Sequence, residues 1–120
     1  MRNIPLHLMK AFLEGEKVIA SVEARHPSAV AWVSFIRHKL GMPRLSAEEL
    51  KDKPWIYQII HYEMPAEFSS GEWDVGKTEM LYYQKYTFPT VEEADVVLDE
   101  LVGDPSKFVL RGDLEDWTPF

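Results

Sequence analysis

The stretch EKVIASVEARHPSAVAWVSFIRHKLG, residues 16–41, decides the fold, because two periodicities compete within it. In its first part Val18, Ala20, Val22 and Ala24 alternate as on a strand, while Val18, Ile19 and Val22 also fit one helical face. His26-Pro27 interrupts the run, and Pro27 suits the first turn of a new helix. Beyond it Ala29, Val33, Ile36 and Leu40 recur at helical spacing, flanked by Val30, Trp32 and Phe35. Gly41 stands where a helix would be capped, and Pro43 bars continuation. Helical neighbours tip the ambiguous first part towards helix as well, so residues 16–41 read as two helices divided at His26-Pro27.

On the N-terminal side, Asn3 is placed to cap a first helix that tolerates Pro5 in its first turn and ends near Gly15. Leu6, Met9 and Leu13 share one face of it, with Leu8 and Phe12 beside them. On the C-terminal side, Ser46-Ala47-Glu48-Glu49 reads as a capping box opening a short helix that ends before Pro54. The period then changes. WIYQIIHYE, residues 55–63, is rich in β-branched and aromatic residues and reads as a strand. Residues 64–77 read as a loop, and EMLYYQKYTF, residues 79–88, as a second strand able to pair with the first in a hairpin. Thr90 to Glu93 is another capping box, followed by Val91, Ala94, Leu98 and Leu101 at helical spacing and a stop at Gly103. Residues 107–110 make a short third strand. The expectation is one α+β domain over residues 1–120, with N-terminal helices, then a small antiparallel sheet of about three strands and one further helix.

An apolar fraction of 46% and an aromatic fraction of 12% belong to a folded chain of one-domain size. The absence of cysteine excludes disulfides, thiolate catalysis and Cys-based zinc sites. No segment approaches the ~20 apolar residues of a membrane span. The start, MRNIPLHLMKAFLEGEK, lacks a long apolar run and a small-residue cleavage site. A soluble, cytoplasmic protein with no membrane partner is expected. The net charge of −7 is unevenly spread. Residues 1–53 carry nine Lys/Arg and six Asp/Glu, whereas residues 90–120 carry two and nine. A basic front and an acidic back can steer partners of opposite sign.

GEWDVGKT, Gly71 to Thr78, matches the phosphate-binding P-loop pattern. That loop needs a strand directly before it and a helix directly after, so that backbone N–H groups converge on phosphate. Here Glu79-Met80-Leu81-Tyr82-Tyr83 follows, which is strand-like, and Glu72 and Asp74 would repel a triphosphate. Val96-Val97-Leu98-Asp99-Glu100 resembles a magnesium-holding strand end, but it lies within the capped helix. A turn in a loop is expected there, with no nucleotide or other cofactor.

No other constellation carries clear chemistry. His61 and Glu63, two apart on one strand, share a face but lack a third metal ligand. His7, His26 and His38 make no metal pattern, and Ser34 with His38, one helical turn apart, lacks an orienting acid. Arg111-Gly112-Asp113 reads as a turn after the last strand. No catalytic or metal residue is expected. Arg37, His38, Lys39 and Arg44 form the one dense basic cluster, with Arg25 near it and Trp32 and Phe35 on the same segment.

The stretch TFPTVEEADVVLDELVGDPSKFVLRGDL, residues 87–114, resembles a segment near the N-terminus of some phage and plasmid primase-helicase proteins. In those proteins an apolar helix leads to a strand ending in Arg-Gly. The resemblance covers about a quarter of the chain, holds no catalytic residue, and implies a mobile-element origin. Two functions follow as expectations. The first is a small, acidic, non-enzymatic binding protein (an inhibitor, immunity or accessory factor) that docks on a larger protein. Its anchors would be Trp117 and Phe120 in the tail, with Arg37, Lys39 and Arg44 as charged contacts. The alternative is a nucleic-acid-associated replication or regulatory domain that uses the basic cluster at 25–44. An apolar helix face could also seat a homodimer.

Overall fold

Residues 16–41 form strands, which corrects the helical expectation. β1 (Val18–Val22) and β2 (Ala29–Lys39) pair antiparallel as a hairpin, with Val18 opposite Phe35 and Val22 opposite Ala31. The physical reason lies in burial on both faces. Val33 and Phe35 point to one side of β2 and Trp32 to the other, and all three are buried. Apolar residues at both odd and even positions hide the two-residue alternation and imitate a helical repeat. The β-branched and aromatic content then settles the segment as strand.

The computed structural model describes residues 3–40, 42, 44–67 and 80–113. The remaining elements are helix α1 (Leu6–Leu13), the one-turn helix α2 (Ala47–Leu50), β3 (Trp55–Pro65), β4 (Tyr82–Phe88), helix α3 (Val91–Leu101) and β5 (Phe108–Leu110). The five strands form one antiparallel sheet in the order β4-β3-β2-β1-β5. The class is α+β, but the sheet has five strands rather than about three. It begins at Val18, and only α1 precedes it. The β3–β4 pairing, α3 and β5 follow the sequence expectation. Arg111–Asp113 is a 3-10 turn after β5, as read from the sequence.

The register sets five rows of side chains across one face of the sheet. Val22, Ala31, Glu63 and Tyr82 make the first row, and Ala20, Val33, His61 and Gln84 the second. Val18, Phe35, Ile59 and Tyr86 make the third, Arg37, Tyr57 and Phe88 the fourth, and Lys39 with Trp55 the last. The middle rows form the main core. Val18, Ala20, Val33, Phe35 and Ile59 pack there under Ile4, Leu8 and Phe12 from the α1 side and Ala94 and Leu98 of α3, with Phe108 of β5. Phe12 stacks on Phe35 at 4.7 Å between ring centroids. Ile19, Trp32, Ile60, Tyr62 and Met64 form a second cluster on the opposite face.

The capping box read at Ser46 is complete, whereas the one read at Thr90 is only half formed. Ser46 accepts from the Glu49 N–H and Glu49 reaches back, completing the box of α2. Thr90 accepts from the Glu93 N–H to open α3, and Gly103, at φ +77°, closes that helix by donating to the Leu98 carbonyl. Asn3 does not cap α1, whose N-terminal residue Pro5 offers no side-chain bond. Its buried amide instead donates to the Asp95 carboxylate and carbonyl and to the Asp99 carboxylate, which ties the chain start to α3.

Candidate functional site

The two ends of the helix-covered face differ in chemistry, and each collects residues that the sequence leaves scattered. At one end Arg37 and Lys39, at alternate positions of β2, point to the same side as Trp55, the first residue of β3. The Arg37 guanidinium lies over the Trp55 ring at 3.8 Å, and the Lys39 ammonium is 5.4 Å from it. Arg37 Nη2 donates to the Leu13 carbonyl, while Lys39 Nζ donates to the Leu50 and Lys51 carbonyls at the end of α2. These acceptors are neutral. Among the described residues neither cation is paired with a carboxylate, so their field stays available to a partner. Leu40 and Met42, which continue from β2, are 53% and 47% exposed beside them. Their backbone is fixed by bonds to the Pro54 and Lys39 carbonyls.

The basic cluster read from the sequence is thus divided. Arg37 and Lys39 share this end, and exposed Arg44 follows it in the chain. Arg25 lies at the other end of the sheet, beside the Ala31–Glu63–Tyr82 row and roughly 20–25 Å away along the strands. Trp32 and Phe35 are buried on opposite faces and offer no surface for base stacking. Ser34 and His38 lie four residues apart on a strand, about 13 Å rather than one helical turn. Trp117, Phe120 and the stretch 71–78 lie outside the described residues, as do Gly41 and Pro43.

At the other end the β3 and β4 positions of the first two rows, Glu63 with Tyr82 and His61 with Gln84, are polar. Glu63 is fully buried, and the tip of the β1–β2 hairpin folds over it. The Arg25 N–H donates to Glu63 Oε1 at 3.0 Å and the His26 N–H at 3.2 Å, while the His26 ring nitrogen Nδ1 lies 2.9 Å from the same oxygen. Burial pushes the Glu63 carboxyl up, but the bonds from the His26 ring and the two backbone N–H groups outweigh it and hold the group below its ordinary value. Glu63 is therefore a carboxylate, and Nδ1 of His26 carries the proton between them.

The Arg25 side chain continues across the face to stack on Tyr82 at 4.3 Å. His61 meets the same Tyr82 ring edge-on at 5.0 Å. Burial, followed by the nearby Arg25 charge, pushes the His61 imidazole below its ordinary value, so it stays neutral at pH 7. His61 and Glu63 share a face, as their spacing requires, but Glu63 bonds to His26 rather than to His61. Glu63 Oε2 and His61 Nδ1 are buried and have no hydrogen-bond partner among the described residues. Among the described residues no three His, Asp or Glu side chains converge as a metal site. A cleft of about 450 Å³ opens beside this end, lined by Pro27, Ser28, Pro65, Ala66, Glu67 and Leu81.

No protein-family model matches the chain, no curated protein matches it, and no solved structure matches it. Among the described residues no helix is long and apolar enough to cross a membrane.

Proposed function

We propose that this chain is a small protein-binding factor, of the inhibitor, immunity or accessory kind, that docks on an acidic surface of a larger protein through the Arg37–Trp55 end of its sheet. The supporting observation is the combination found there. Trp55 is held flat beneath Arg37, Arg37 and Lys39 surround it with no carboxylate partner among the described residues, and Leu40 and Met42 stand exposed alongside. Trp and Arg are the residue types that most often dominate binding energy, and their pre-set geometry lowers the entropy lost on docking. The cations favour an acidic partner and speed its approach.

The test compares capture by immobilised wild type, Trp55→Ala and Leu40→Asp/Met42→Asp from lysate of the source cell, with and without nuclease. One protein retained by the wild type at moderate salt, and lost by both variants while they keep the wild-type circular dichroism and Tm, supports the surface. Truncating a central Trp commonly weakens binding by ~2 kcal/mol, or roughly 30-fold. Equal capture by all three would remove this surface from consideration. Capture that disappears with nuclease would favour the nucleic-acid alternative.

A further inference from the structure

We infer that Lys17 is a covalent modification site, a nucleophilic amine in the cleft at the β1–β5 edge that takes short acyl groups from acyl phosphates. It lies on the opposite face of the sheet from Arg37 and Trp55 and does not depend on the docking surface.

The position of Lys17 follows from register. Val18 pairs with Leu110, and the Arg111 N–H donates to the Lys17 carbonyl at 3.3 Å, which carries the β1–β5 ladder one residue beyond its last strand pair. Residues directly opposite in an antiparallel pair have Cβ atoms about 5 Å apart, so two cations, Lys17 and Arg111, stand as cross-strand neighbours. The alternation that sends Val18 into the main core turns Lys17 to the other face. The β1–β2 register, continued by the same residue, puts half-buried Ile36 on its other side, where the aliphatic stem of a lysine finds apolar surface. Lys17 is accordingly half-buried, whereas Glu16 and Arg111 are exposed.

A cleft of about 190 Å³ opens at this point, lined by Glu16, Lys17, Leu110, Arg111 and Gly112. Among the described residues the Lys17 ammonium has no carboxylate partner, Glu16 beside it included. A lysine becomes a nucleophile when desolvation or a neighbouring cation raises its free-amine fraction, and Lys17 has both. Burial, followed by the nearby Arg111 charge, holds its amine below the ordinary value of 10.5. Both causes act against the charged nitrogen, and both are relieved once the nitrogen becomes a neutral amide. The lining carries two cations against one carboxylate, which favours a donor with an anionic leaving group. The cleft is smaller than the ~300 Å³ at which sites for drug-sized ligands begin, so it suits a donor with a short acyl chain.

The transfer balances without an oxidant or reductant. The Lys17 ammonium first gives a proton to water. The free amine attacks the acyl carbon, the tetrahedral intermediate collapses, and the C–O bond to phosphate breaks with its electron pair leaving on the phosphate oxygen. A second proton passes from the nitrogen to that phosphate. The products are an Nε-acyl lysine and hydrogen phosphate.

The experiment treats the whole wild-type chain with millimolar acetyl phosphate near neutral pH and follows the acetylation rate of each lysine by peptide mass spectrometry. Lys10, Lys51, Lys53 and Lys107 are exposed and serve as references within the same molecule. Accessibility alone predicts that half-buried Lys17 reacts more slowly than these. The proposal predicts the reverse, with Lys17 about 10-fold faster. Arg111→Gln should cut that lead by about 3-fold, because one of the two causes of the free amine is gone and the anion is drawn less strongly. Acetic anhydride, which is uncharged, should show the lead by a smaller margin and so separates amine reactivity from attraction of the donor. A wild-type rate at Lys17 equal to or below the references overturns the proposal, and this comparison decides the question even if Arg111→Gln does not fold. A lead left unchanged in folded Arg111→Gln, or one no larger with acetyl phosphate than with acetic anhydride, overturns it as well.

Discussion

Replacing Glu63 by Gln tests how much of the fold rests on one carboxylate. Its Oε1 receives the Arg25 N–H, the His26 N–H and the His26 ring at 3.0, 3.2 and 2.9 Å. A hydrogen bond to a charged group contributes ~1.5–3 kcal/mol, but three bonds converging on one buried oxygen do not add, and the carboxylate bears a desolvation cost that the amide escapes. A Gln carbonyl can still accept from the two N–H groups. The loss is then the charge assistance, together with an amide NH₂ placed where Oε2 has no partner now. A net destabilisation of about 2 kcal/mol is expected. For 120 residues the unfolding entropy is roughly 0.25 kcal/mol per kelvin, which converts this to a Tm about 8 °C lower. The sign of the pH dependence follows from the depressed Glu63 carboxyl. The unfolded chain binds the proton first, so the stabilisation is complete above the ordinary value of 4.5 and is lost as pH falls through the folded value. The gap between wild type and variant should therefore narrow as the pH falls below 4.5. His61, also depressed, withdraws stability from its ordinary value of 6.5 downwards, but it does so in both proteins and largely cancels in the difference. Calorimetry across this range is the assay. A gap below about 2 °C at pH 7, or one that stays constant on acidification, would refute the reasoning.

Two further outcomes follow from the structure. Asn3→Ala should lower stability by ~1–3 kcal/mol, because it strips a buried donor from Asp95 and Asp99, and urea unfolding should show a lower midpoint with an unchanged m-value. Ser28→Gly should leave Tm unchanged or raise it by the equivalent of up to ~1 kcal/mol, since glycine relieves the φ of +57°; a clear fall would show that the hydroxyl stabilises the turn.

Legibility in the sequence follows how local the determinants are. β3, β4, α3 and the box at Ser46 each carry their own signals within a few residues, and those elements were readable. The segment 16–41 was not, because its strands are covered on both sides. Ala29 and Val33 lie on one face of β2 and Ile36 on the other, yet the three mimic a helical stripe. The same misreading moved the aromatics. On a helix Trp32 and Phe35 would flank the basic cluster, whereas on a strand they fall on opposite faces and into two different cores. Arg37 and Lys39 survive as neighbours under either period-two or local reading, but their partner Trp55 becomes visible only once β2 and β3 are placed in register.

The polar end depends still more on register. His26 and Glu63 are 37 residues apart in the chain, and no spacing rule connects them. What brings them together is the row Val22–Ala31–Glu63–Tyr82. The hairpin tip begins above Val22, and to reach Glu63 it must pass over Ala31. The methyl of Ala31 is the smallest side chain in that row, so the tip can lie low enough for two backbone N–H groups to meet the carboxylate. A strand pairing in which β3 slipped by one residue would turn Glu63 to the opposite face and strand it against Trp32 of β2. The buried carboxylate therefore disfavours the slipped register alongside the apolar rows, and the residue that builds the candidate site also helps to specify the sheet that holds it.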